Sequence, residues 1–144
     1  MGTADPGSAR WTGVTSARQR TVHLDASFLI QALGPFSVEA LALRTWLRQG
    51  RAIAMSAVSR GEFLCGPLAD EERALALRIV LRHIPVGTAE ANEAVRLFHA
   101  TGRKRGSYQD CLVAATALGA EAELGTANQD VFAPFEAYGV MLAR

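Results

Sequence analysis

Five short apolar runs, Val22–Leu24, Ala52–Met55, Ile84–Val86, Leu124–Thr126 and Val140–Leu142, punctuate the chain, and six segments of helical period lie between the first four. No other feature constrains the fold as strongly. Strands kept apart by helices pair in parallel only through crossover connections, which cover both faces of the sheet and require strands as apolar as these. The helices are expected at Ser27–Leu33, Val38–Gln49, Ala57–Cys65, Asp70–Arg82, Ala89–Thr101 and Gln109–Leu118. Gly34, Gly50, Gly66, Gly102 and Gly119 follow helical runs, where glycine can supply a left-handed stop. Ser37, Ser56, Asp70, Thr88 and Ser107 stand at N-cap positions. The expected fold is α/β, a three-layer α/β/α domain with a mainly parallel central sheet.

Residues 1–20 are rich in Gly, Ser, Thr and Ala and follow neither hydrophobic period, so they are read as a flexible N-terminal extension to a domain at 21–144. A length of 144 residues suits one domain and would be cramped for two. No run approaches the roughly 18 apolar residues of a membrane helix, and the first twenty residues lack the apolar core of an export signal. A cytoplasmic protein without membrane contact is therefore expected. Cys65 and Cys111 sit in apolar segments without CxxC spacing and read as buried thiols, while His23, His83 and His99 offer no ligand spacing. A net charge of +1 excludes a protein that holds nucleic acid mainly by bulk charge.

Most acidic residues have ordinary places. Glu39, Glu71, Glu72, Glu90 and Glu93 fall in the first turns of helices, where negative charge suits the macrodipole, and Glu121, Glu123 and Glu136 fall in polar loop surroundings. Four positions are different. Asp25 ends the first apolar run, where it serves equally as a helix cap or as a ligand; Glu62 lies on the helix after the second run, flanked by Gly61 and Phe63. Asp110 shares a capping-box spacing with Ser107, and Asn128 and Asp130 follow Thr126 in a segment that also reads as a turn.

In a right-handed parallel sheet all four positions fall at one edge, beyond the carboxyl ends of the strands, where ligands bind in open α/β folds. Carboxylates sharing a cleft raise one another's pKa unless a cation neutralises them. Mg²⁺ or Mn²⁺ takes oxygen ligands from one or two carboxylates and keeps waters, an arrangement suited to phosphodiester hydrolysis. Arg103, Lys104 and Arg105, just upstream of Asp110, read equally as a grip on a nucleic-acid backbone and as a basic helix end.

The segments VHLDASFLI, SAVSRGEFLCG, SYQDCLVAATALGA and LGTANQD, in this order and spacing, resemble the PIN-domain ribonucleases, in particular the VapC-type toxins of bacterial toxin–antitoxin pairs. The resemblance covers roughly residues 21–142. It puts the family's first acid at Asp25, with Ser27 as hydroxyl companion, the second at Glu62 and the third at Asp110. The fourth motif opens at Thr126 and departs from the family pattern, because Val131 separates Asp130 from Phe132; Asp130 is the fourth carboxylate and Asn128 the alternative.

The resemblance implies a Mg²⁺- or Mn²⁺-dependent endoribonuclease, often a homodimer, inhibited by a small antitoxin whose C-terminal segment occupies the active-site groove. Asp25 and Asp110 would bind metal, with Glu62 and Asp130 completing the pocket and positioning the attacking water. The alternative is a catalytically inactive PIN-like domain that binds RNA or a protein. A response-regulator receiver is disfavoured by the lack of an acidic pair beside Asp25, and a haloacid-dehalogenase-like phosphatase by Ser27 where D-x-D needs its second acid. The Val38–Trp46 stretch, with Leu41, Leu43, Trp46 and Leu47, reads as core or as a partner face.

Overall fold

Val22, His23 and Leu24 form β1 (Val22–Leu24), and all three are buried. In the computed structural model, which describes residues 20–102 and 108–144, four further strands join it: β2 (Ile53–Ser56), β3 (Arg82–Ile84), β4 (Glu123–Gly125) and β5 (Met141–Leu142). Their order is β3-β2-β1-β4-β5, and every pairing is parallel. Val22 lies beside Ile53 and Glu123, and His23 beside Ala54 and Leu124. Alternation along each strand sends Val22, Leu24, Ile53 and Met55 to one face and His23 and Leu124 to the other.

The first face is covered by α1 (Ala26–Ala32), α2 (Val38–Arg48) and α4 (Asp70–Ile79), with Phe28 and Trp46 stacked at 5.2 Å between ring centres. The second is covered by α5 (Thr88–Ala100), α6 (Tyr108–Gly119), α7 (Gln129–Phe132) and a 3₁₀ segment (Ala133–Tyr138). Between them α3 (Ala57–Leu64) contributes Phe63 to one core and Val58 to the other. The three-layer α/β/α architecture expected from the sequence is present. Helix α6 buries Ala114, Ala115 and Ala117, and such short side chains let its axis approach the sheet. Gly125 has the same effect within the sheet, since a Cβ there would lie 3.0 Å from Leu24 Cδ2 and 3.2 Å from Val22 Cγ1.

Several boundaries differ from the sequence reading, each for a local reason. β3 occupies Arg82–Ile84 rather than Ile84–Val86 because it is an edge strand; it tolerates exposed Arg82 and His83, and Pro85 has no N–H for the ladder. To reach β2 in register the chain leaves helical geometry at Val80, so α4 ends at Ile79 and not at Arg82. The caps of α4 and α5 are Ala69 and Gly87, where Glu72 and Glu90 accept the cap N–H, instead of Asp70 and Thr88. Ser37 and Ser56 cap α2 and α3 as expected. Left-handed backbone occurs at Gly50 and Gly102, but not at the other three helix-ending glycines.

Glu123 is no loop acid. It lies in β4 and pairs with Arg51 at 2.9 Å, both side chains mostly buried, while Arg51 also donates to the Arg20 carbonyl. Arg20, placed in the extension by composition, is thereby held against the domain. Cys111 is buried as expected, whereas Cys65 is exposed. On α2, Leu43 and Trp46 enter the core, and Val38 and Leu41 stay 73% and 54% exposed. Among the described residues no helix is long and apolar enough to cross a membrane.

From β1 the chain fills the sheet outward on one side through β2 and β3, then crosses to the other side for β4 and β5. The switch point therefore falls between the carboxyl ends of β1 and β4, where an open sheet has a crevice.

Candidate active site

Asp25 immediately follows β1, and Thr126 immediately follows β4. Across the switch point Thr126 Oγ1 donates to Asp25 Oδ2 at 2.6 Å. The other carboxylate oxygen, Oδ1, accepts from the Phe28 N–H and the Ser27 hydroxyl, each at 2.8 Å. The cap and ligand readings of Asp25 are thus compatible: its extended backbone and its bond to Phe28 N–H start α1. The side chain is locked at the switch point with the residue only 5% exposed. Burial pushes its pKa up, opposed by the hydrogen bonds from Thr126, Phe28 and Ser27.

Glu62, on α3, is exposed. Its pKa is raised first by partial desolvation, then by the negative charges of Asp110 and Asp25, and a hydrogen bond from the Gln109 side chain opposes these. Asp110, half-buried in the first turn of α6, also raises the pKa of Cys111, after burial of that thiol. Three segments far apart in sequence therefore bring Asp25, Glu62 and Asp110 close enough for their charges to interact. Asp130 and Asn128 are exposed at the start of α7, Asp130 in its first turn and Asn128 as its N-cap. The charges acting on Glu62 are those of Asp110 and Asp25. Arg103, Lys104, Arg105 and Ser107 lie outside the described residues.

Among the described residues no three His, Cys, Asp or Glu side chains converge into a metal-ligand cluster. The donor set nevertheless suits a hard divalent cation. It consists of oxygens, its like charges are held near one another, and Mg²⁺ needs only one or two carboxylates when waters fill its remaining positions. Gln109 escaped the sequence reading. A neutral amide before an acid carries no charge pattern, and its role arises only because α3 packs against α6.

A parallel α/β sheet with a buried, hydrogen-bonded carboxylate at its switch point and two more acids beside it defines a class of protein that meets its ligand beyond the strand ends. Within that class the assignment is specific. The chain belongs to the PIN domain family, whose sequence pattern matches residues 22–136.

Solved structures share the fold. A chain of VapBC2 from Rickettsia felis, bound to a DNA fragment from their promoter, is 17% identical with a TM-score of 0.68, over 85% of this chain and 97% of that one. A chain of FitAcB from Neisseria gonorrhoeae is 18% identical with a TM-score of 0.65, over 86% and 97%. DNA-bound VapBC from Salmonella typhimurium gives 20% identity and a TM-score of 0.64, over 87% and 98%. No match to this chain was found among curated proteins.

Proposed function

We propose that this protein is a Mg²⁺- or Mn²⁺-dependent endoribonuclease, the toxin of a toxin–antitoxin pair, acting in the cytoplasm. The observation that carries this reading is the approach of Asp25, Glu62 and Asp110 at the switch point, with Asp25 buried and bonded at both oxygens. Membership of the PIN family supports it. Fold neighbours described as VapBC and as a toxin–antitoxin complex support an antitoxin as partner, and a homodimer is the working state proposed with it.

Asp25 and Asp110 would hold the cation. When bound, a divalent ion supplies a polarised water and offsets charge on the phosphoryl group. The protein's own contribution is orientation. Ser27, Thr126 and the Phe28 N–H hold the Asp25 carboxylate in one pose. Glu62 positions the attacking water through a carboxylate oxygen. Asp130 and Asn128 border the crevice from the α7 side, and Arg103, Lys104 and Arg105 are assigned to the RNA backbone.

The test is cleavage of total cellular RNA with Mg²⁺ or Mn²⁺, by wild type and by Asp25→Asn and Asp110→Asn. Each substitution should reduce cleavage at least about 100-fold, in line with removal of a group from a metal site or its support. Cleavage that survives both changes, or that ignores a chelator, overturns the metal-site reading. RNA binding without cleavage by wild type would instead identify the non-cutting module.

A further inference from the structure

Each oxygen of Asp25 is bonded by a hydroxyl, and each hydroxyl is bonded in turn by a backbone N–H from one loop. Ser27 Oγ donates to Oδ1 at 2.8 Å and accepts from the Ala127 N–H at 3.3 Å. Thr126 Oγ1 donates to Oδ2 at 2.6 Å and accepts from the Asn128 N–H at 2.9 Å. An amide N–H can only donate and an ionised carboxylate can only accept, so both hydroxyl protons have a fixed direction, toward Asp25. The two chains run in parallel from consecutive residues of the loop to the two oxygens of one carboxylate.

Beyond these bonds the segment is held at its apolar end, where Phe132 is buried in the core. Helix α7 comprises four residues, too few to be stable by its own hydrogen bonds, and its N-cap Asn128 makes no side-chain capping bond. Within the segment the Gln129 side chain donates to the Thr126 carbonyl at 3.3 Å and the Val131 N–H to the Asn128 carbonyl at 3.0 Å.

We propose that Ser27 and Thr126 are positioning residues that couple the loop at 126–130 to the Asp25 carboxylate, so that Asn128 and Asp130 take their places from Asp25. The two couplers act on separate amides and fail separately. A cation on Asp25 that steadies the carboxylate steadies the loop through the hydroxyls, without touching it. That last consequence rests on the reading of Asp25 as a metal ligand; the coupling does not.

The experiment is NMR-detected amide hydrogen exchange on the full chain without metal. Ser27→Ala should speed exchange at Ala127 about five-fold, the factor an ordinary hydrogen bond carries, with Asn128 unchanged. Thr126→Val should do the reverse. Ser27→Thr, which keeps the hydroxyl, should restore Ala127, and Leu124 within β4 reports that the sheet is intact. If Ser27→Ala does not fold, comparison of Thr126→Ser with Thr126→Val decides the question at Asn128.

Unchanged exchange at the partner amide in a folded variant overturns the coupling, as does an equal rise at every amide of the loop. A second arm adds Mg²⁺ alone. Wild type should gain protection at Ala127 and Asn128, and Ser27→Ala at Asn128 only. Protection at both amides in Ser27→Ala overturns the relay. If Mg²⁺ moves no amide in wild type, Asp25 is not the ligand, and the metal-free arm still decides the coupling.

Discussion

His23 makes the stability of this domain depend on pH with a sign that can be worked out in advance. The residue is 3% exposed in the central strand, and its Nδ1 has no hydrogen-bond partner. Burial, assisted by the positive charge of Arg82, lowers its pKa from 6.5 to about 4. Between those values the unfolded chain binds a proton that the folded chain refuses, so stability falls as pH falls from 6.5 and the loss is complete below about 4. The size is the pKa difference multiplied by 1.36 kcal/mol per unit, or about 3 kcal/mol.

The raised pKa values of Asp25 and Glu62 work in the opposite direction, favouring the fold as pH falls, so wild type alone would blur the effect. A difference removes them. Urea unfolding of wild type and His23→Leu, followed by fluorescence of the buried Trp46, should be compared from pH 7.5 to pH 4. The stability of wild type minus that of the variant should fall by about 3 kcal/mol, a relative midpoint change of about 1.5 M at a slope of about 2 kcal/mol/M. A difference that stays flat across this range refutes the assignment of His23 as a buried neutral base.

Two further outcomes are expected. Gly125→Ala should destabilise the domain by about 1–3 kcal/mol in the same denaturation assay, because the new Cβ crowds Leu24 and Val22; an unchanged midpoint would mean that those side chains move aside. Gln109→Leu removes the hydrogen bond to Glu62 and should lower RNA cleavage about 10- to 100-fold with little change in Tm. Full activity in that variant would show that Glu62 is held by other groups.

The layered architecture was legible because it depends on periodicity, which lies within short windows of sequence. Val22, Leu24, Ile53 and Met55 announce buried strands by composition alone. Features that depend on a distant partner were less legible. Glu123 looks like a loop acid until Arg51 is placed beside it, and β3 looks two residues late until its edge position excuses Arg82 and His83 from burial. The turns at 129–138 carry no helical period, although Phe132 and Phe135 anchor them in the core. Asp25, Glu62 and Asp110 stand out in the sequence because they follow a strand or lie in the first two turns of a helix at the expected edge. How they interact is a matter of packing between α3 and α6, which no local pattern encodes.

The bond between Asp25 and Thr126 joins residues 101 positions apart. During synthesis β1 is among the first elements made, and it can pair with β2 early; its other neighbour, β4, is translated only when most of the domain exists. Until then the aspartate lacks one of the hydroxyls that orient it. For a chain proposed to cut RNA, this order of assembly delays the finished site until most of the domain has been translated. A fragment that stops before residue 123 would carry Asp25, Glu62 and Asp110 without the strand and hydroxyl that close the switch point around them.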